Sequence, residues 1–202
     1  MMKRFGLLAA IMLVLTGPAA ASNWVRVAER AVTEFGDRSS SVQHNGTIEY
    51  AFSPREGAEK LVLKVIGSAR SEIRMMTYSL TSSPVVEALI AARRRGVDVA
   101  IVSDYKNNVV DDRSGKPRAA LSALVNAGCR VRTISVYPIH HDKVIVADQE
   151  TVETGSFNYS DAAANKNSEN VMVVWKNPDL ARGYLAHWQD RFNKGEDYRT
   201  NY

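Results

Sequence analysis

Apolar and polar positions along this chain follow two rhythms that take turns. Ile48-Glu49-Tyr50-Ala51-Phe52 alternates as a half-buried strand should. Ser53-Pro54 then predicts a helix start: Ser53 can cap, Pro54 suits the first turn, and Glu56 stands at the capping-box position. This helix is expected to run to about Ala69, with Ala58, Leu61, Val62, Val65 and Ile66 on its buried face. Residues 73–78 read as the next strand. Ser83-Pro84 repeats the cap logic, and residues 85–95 read as a helix closed by Gly96. Residues 97–102 are again strand-like. Strand–helix–strand–helix–strand predicts an α/β layer with parallel pairing.

The second half changes rhythm. Residues 104–118 form a long polar stretch, read as a loop at the end of a strand. Its Lys106, Arg113, Lys116 and Arg118 could meet a polyanion, and a solvated loop is the equal alternative. Residues 119–127 predict a short helix ended by Gly128, and residues 131–134 a strand leading to Tyr137-Pro138. Then come three strand-like runs: Val144-Ile145-Val146, then residues 151–154 after the turn-type Asp148-Gln149-Glu150, then residues 171–175 opened by Glu169. Asn177-Pro178-Asp179 starts a last helix, with Leu180, Tyr184, Leu185, Trp188 and Phe192 as its apolar stripe. His187 lies off that stripe and reads as a surface residue. Gly195 ends the helix and the tail is polar.

The N-terminal part has a different character. Lys3 and Arg4 precede an apolar run from Leu7 to Leu15, too short to span a bilayer as a mature helix, and Ala19-Ala20-Ala21 offers a cleavage site. Residues 1–21 are therefore expected to be a signal peptide, with an uncleaved anchor as the alternative. Residues 22–46 read as an amphipathic helix (Trp24, Val27, Ala28, Ala31, Phe35) and a Ser-rich linker containing His44. One globular domain is expected over residues 47–202, in a periplasmic or secreted setting.

Composition adds little. Hydrophobic residues at 45% and charged residues at 24% are ordinary for a globular protein. The net charge of +4 falls to +2 without Lys3 and Arg4, which permits a polyanionic substrate without arguing for one. Cys129 is the single cysteine, so an intrachain disulfide is excluded, and its setting suggests a buried, inert thiol. The chain has no glycine-rich phosphate loop and no Cys/His metal cluster.

The chemistry concentrates in residues 139–176. Side chains on a strand alternate faces, so His141 and Lys143 share one face while Asp142 and Val144 point the other way. Ser156 and Asn158 repeat this spacing after the second run. An imidazole, an ammonium, a hydroxyl and an amide on neighbouring strands suit a phosphate diester. Lys143 would supply charge, Ser156 and Asn158 hydrogen bonds, and His141 a nucleophile or proton carrier, with Glu169 able to fix the imidazole tautomer. Taken singly, each residue has a blander role: a surface histidine, a solvated lysine, turn formers, a surface carboxylate. His140 should face away from His141 as a non-catalytic neighbour.

His141-x-Lys143, then Asp148, then Gly155-Ser156-x-Asn158, resembles the HKD motif of the phospholipase D superfamily. The continuation through Glu169-Asn170 resembles its small bacterial endonucleases, which carry one motif per chain. The resemblance implies a mixed, largely parallel central sheet flanked by helices on both faces. It also implies a catalytic set of His141, Lys143, Asp148 and Glu169, with Lys143, Ser156 and Asn158 on the phosphate. Alternation nevertheless puts Asp148 on the opposite face near a turn, where a structural role is expected.

The resemblance further implies a phosphohistidine intermediate, no metal or other cofactor, and a homodimer whose two motifs complete one site. DNA or RNA is the expected substrate, with no stable membrane association once the signal is removed. A phospholipase acting on headgroups, or a silent binding protein, are the alternatives.

Overall fold

The computed structural model describes residues 42–43 and 46–200. The expected signal peptide, the amphipathic segment 24–35 and His44 lie outside the described residues. Eight strands form one sheet in the order β1-β7-β6-β5-β2-β3-β4-β8. They are β1 (Ile48–Ser53), β2 (Glu72–Thr77), β3 (Asp98–Asp104), β4 (Arg130–Ile134), β5 (Lys143–Ala147), β6 (Thr151–Gly155), β7 (Glu169–Val174) and β8 (Glu196–Asp197). The α-helices are α1 (Ala58–Ser68), α2 (Ser83–Arg94), α3 (Lys116–Asn126), α4 (Asp161–Asn165) and α5 (Pro178–Lys194).

The sheet is mixed and carries helices on both faces, as expected. Parallel pairing is confined to β2–β3 and β3–β4, where helical crossovers require it. The five other pairings are antiparallel, the β5–β6 hairpin among them. The parallel share is therefore smaller than the expected "largely parallel" sheet.

Alternation sorts the strand residues between two cores. Ile73, Met75, Ile101, Ile145 and Val173 pack under α1, α2 and α3. Met76, Val102, Val144, Val146 and Val152 face α5, whose Trp188 and Phe192 cover them. Trp188 also donates its indole N–H to the Met75 carbonyl at 3.1 Å. Truncating such an aromatic costs about 3–5 kcal/mol.

One start signal fails. The first helix begins at Ala58, after Gly57 at φ 101°, and not at Ser53-Pro54. Ser53 is still in β1, paired with Glu169 of β7. Strand pairing overrides the local cap. At the next helix the cap falls one residue before the expected Ser83: Ser82 Oγ accepts from Val85 N at 3.3 Å, and Ser83 and Pro84 lie in the first turn. Cys129 is buried as expected, and burial pushes its thiol up to about 11.

Candidate active site

The ends of several strands meet at one edge of the sheet. There β2 finishes with Thr77 opposite Lys143, the first residue of β5. β6 finishes with Gly155, β7 starts with Glu169 and β1 ends at Ser53 beside it. His141, Lys143, Ser156, Asn158 and Glu169 are therefore brought to one end by the fold.

Lys143 is buried in this edge, and its ammonium donates to the His141 carbonyl at 2.8 Å. Burial lowers its pKa below the ordinary lysine value, and the Glu169 and Asp142 carboxylates pull it partly back. A desolvated cation of this kind binds anions more strongly than a solvated one. Ser156 Oγ donates to Glu169 Oε2 at 2.6 Å and accepts from Asn170 N at 3.1 Å. Asn167 donates to Glu169 Oε1 at 3.1 Å. The Glu169 carboxylate is thus held within its own chain by Ser156 and Asn167, and not by the His141 imidazole.

The turn bearing Ser156 and Asn158 is fixed from below. Phe157 and Tyr159 alternate with them and are fully buried, so Ser156 and Asn158 share the other side, as their spacing predicts. The Tyr159 hydroxyl donates to Glu153 at 2.8 Å inside the core. Burial pushes the Glu153 carboxyl up to about 8, which keeps it neutral at pH 7. Gly155 has no substitute: a Cβ there would stand 2.1 Å from the Asn170 carbonyl oxygen. Only glycine lets β7 approach closely enough for Ser156 N to donate to Asn170 O at 3.1 Å.

The opposite face of the motif strand is tied to α5. Asp142 Oδ2 lies 3.2 Å from His187 Nε2 and 3.4 Å from His140 Nδ1. His140 is buried, facing away from His141 as alternation requires, and burial lowers its pKa against the pull of Asp142 and Asp104. His187 is half-buried on this bridge, which corrects its reading as a plain surface residue. Its sequence position off the apolar stripe gave no hint of Asp142, 45 residues away.

The family is then a matter of comparison. The model of the "Cardiolipin synthase, PLD-like domain" family matches residues 62–194. This chain belongs to the phospholipase D superfamily. Within it, the chain is 37% identical over 144 residues to "Phospholipase D" of Rickettsia bellii, covering 71% of this chain and 68% of the relative. A solved phospholipase D family member, Nuc from Salmonella typhimurium, superposes with a TM-score of 0.73 at 50% identity. That match covers 76% of this chain and 98% of Nuc. NucT from Helicobacter pylori, at 20% identity and a TM-score of 0.65, shows the same fold. The activity class is that of a phospholipase D superfamily hydrolase acting on phosphodiesters.

Within that phospholipase D fold Asp148 stands apart, which corrects its place among the catalytic residues. It follows the far end of β5 from the motif, roughly 16 Å from Lys143 for five residues at about 3.3 Å each. Its Oδ1 accepts from Ser71 N at 2.8 Å, Glu72 N at 3.0 Å and Ser71 Oγ at 2.8 Å, and its Oδ2 from Arg70 N at 2.9 Å. Burial pushes its carboxyl up, but these donors outweigh burial and hold it below the ordinary value. Asp148 therefore closes the α1–β2 connection. Asp148→Ala is expected to lower stability by about 2–3 kcal/mol, the scale of losing bonds to a charged acceptor. The folded fraction should keep full turnover; urea unfolding alongside activity per folded molecule checks this.

Sequence reasoning missed three residues at this edge. Tyr78 packs at a tilt against the His141 ring, and Asp104 and Asn108 hold the backbone around both. Among the described residues, no group of three or more His, Cys, Asp or Glu side chains is placed to hold a metal ion.

Proposed function

We propose that this protein is a metal-independent endonuclease that cleaves DNA or RNA through a phosphohistidine on His141. The reading rests on one observation above all: exposed His141, buried Lys143 and the Ser156–Glu169 pair gather at a single open edge of the sheet. A neutral His141 imidazole attacks phosphorus, forming an N–P bond as the P–O bond to the leaving strand breaks. The departing oxygen takes a proton from a second imidazole. That imidazole then takes a proton from water, and the hydroxide displaces His141 from phosphorus. Lys143, Ser156 and Asn158 hold the non-bridging oxygens, where charge builds up.

The second imidazole calls for a homodimer, since His140 and His187 point to the opposite face of the motif strand. The partner subunit's His141 fills that role if two motifs meet across a two-fold axis. Val136 and Ile139, exposed in the segment leading into His141, would be covered by such a contact. The signal-like residues 1–21 support export to the periplasm or medium.

The relatives support a second reading. "Phospholipase D" of Rickettsia bellii and "Mitochondrial cardiolipin hydrolase" of Xenopus laevis are named for lipid reactions, the latter 28% identical over 115 residues. Nucleic acid is preferred because the motif run from His141 to Asn170 resembles the small bacterial endonucleases, and the identity to Nuc, 50%, exceeds the 37% to the Rickettsia bellii protein.

The test is a hydrolysis panel in EDTA: double- and single-stranded DNA, RNA, phosphatidylcholine, cardiolipin and bis(p-nitrophenyl) phosphate. Cleavage of nucleic acid and of the small diester, with lipids intact, is expected. Lipid hydrolysis alone would establish the second reading, and activity restored only by Mg²⁺ or Zn²⁺ would refute the metal-independent mechanism.

A further inference from the structure

His141 precedes β5, which begins at Lys143, so no strand ladder holds its backbone. Two anchors replace the ladder: Lys143 donates to the His141 carbonyl, and His140 N donates to Asp104 Oδ2 at 2.8 Å. Neither touches the imidazole. The ring contact that the structure gives it is Tyr78, with centroids 4.7 Å apart and planes inclined at 56°. The Lys143 ammonium lies 5.4 Å from the centroid of the same Tyr78 ring.

Tyr78 is itself held with unusual firmness for a residue outside any strand. Asn108 is fully buried, and its Nδ2 donates to the Tyr78 carbonyl at 2.6 Å and to the Asp104 carbonyl at 2.8 Å. Its Oδ1 accepts from Leu80 N at 3.3 Å. Asn108 sits in a wide helical turn, Lys106–Val110, closed by an i→i+5 bond from Asp111 N to the Lys106 carbonyl at 2.8 Å. Such turns are rare and concentrate at functional sites. Asp104 also accepts from Asn107 N at 2.6 Å through its Oδ1. One polar hub therefore fixes the residue before His141 and the segment whose ring lies against His141.

We propose that Tyr78, held by Asn108, is a positioning residue that sets the attack orientation of the His141 imidazole. The proposal rests on His141 being the nucleophile. The Tyr78 ring limits the imidazole's rotation, and the same ring lies within cation–π range of the Lys143 ammonium. Misplacing a nucleophile by about 1 Å can cost on the order of 100-fold in rate.

The experiment uses the full chain with bis(p-nitrophenyl) phosphate and a DNA substrate. Tyr78→Leu is expected to lower kcat about 10- to 100-fold with KM within about twofold. Tyr78→Phe, which keeps the ring, should restore kcat to near the wild-type value. In parallel, the His141 ring protons should show an upfield ring-current shift in the NMR spectrum of wild type and Tyr78→Phe, lost in Tyr78→Leu. A Tyr78→Leu protein with unchanged kcat would overturn the proposal. So would a rise in KM alone, which would make Tyr78 a substrate contact, or a Phe variant as impaired as Leu. Wild-type protein inert on both substrates would instead sink the nuclease reading, while the NMR shift still reports the ring contact.

Discussion

His141→Ala should abolish turnover, by about 10⁴-fold or more, while leaving the fold intact. The imidazole is exposed and belongs to neither core, so its removal opens no cavity in either. Loss of a covalent nucleophile is in the range of about 10⁴–10⁶ because the remaining groups have nothing to deliver. Lys143→Met should lose at least about 10³-fold, since it keeps the buried stem and removes the charge that meets the phosphoryl oxygens. Its stability should hold or rise: burial lowers the Lys143 pKa, so the folded state bears a cost for keeping that ammonium charged. Glu169→Gln should be milder, because the amide oxygen can still accept from Ser156 and only the bond from Asn167 is lost. Steady-state kinetics with thermal melts on each variant check all three. An active His141→Ala protein would refute the assignment.

Mixing wild-type and His141→Ala subunits should lower activity with the square of the wild-type fraction. Each chain offers one HxK pair, and the chain's other described histidines are tied to Asp142 on the far face of β5. A mixed dimer would keep a nucleophile or an acid for one phosphorus, but not both. Two-fold pairing of one patch with itself also stops at two copies. Subunit exchange followed by activity titration measures the curve. A linear fall, or full activity in a monomer at high dilution, would show that each chain is self-sufficient.

The residues of this edge differ in how they reveal themselves. His141-x-Lys143 and Ser156-x-Asn158 lie on or beside antiparallel strands, so period-two alternation alone put each pair on one side. The buried Phe157 and Tyr159, which alternate with the second pair, are the mirror image of the same rule. Asp148 followed from alternation too, although the donors at 70–72 that hold it were not visible locally. Tyr78, Asp104 and Asn108 were invisible for a different reason. They arrive through the parallel β2–β3 crossover, and the Asp104–His140 bond spans 36 residues. The turn at Lys106–Val110 reads as polar loop because a five-residue helix of Lys, Asn and Val has no period to detect. The failed helix start at Ser53 has the same root, since only its pairing with Glu169 keeps it extended.

The central claim is that a phosphorus–nitrogen bond forms on His141. Rapid mixing with bis(p-nitrophenyl) phosphate, quenching in alkali where phosphohistidine survives, and peptide mass spectrometry test it most directly. p-Nitrophenolate should be released in step with the appearance of a p-nitrophenyl phosphoryl group on the peptide containing His141, and this adduct should be absent in His141→Ala. Turnover of the diester with no adduct on that peptide, or an adduct that persists in His141→Ala, would contradict it.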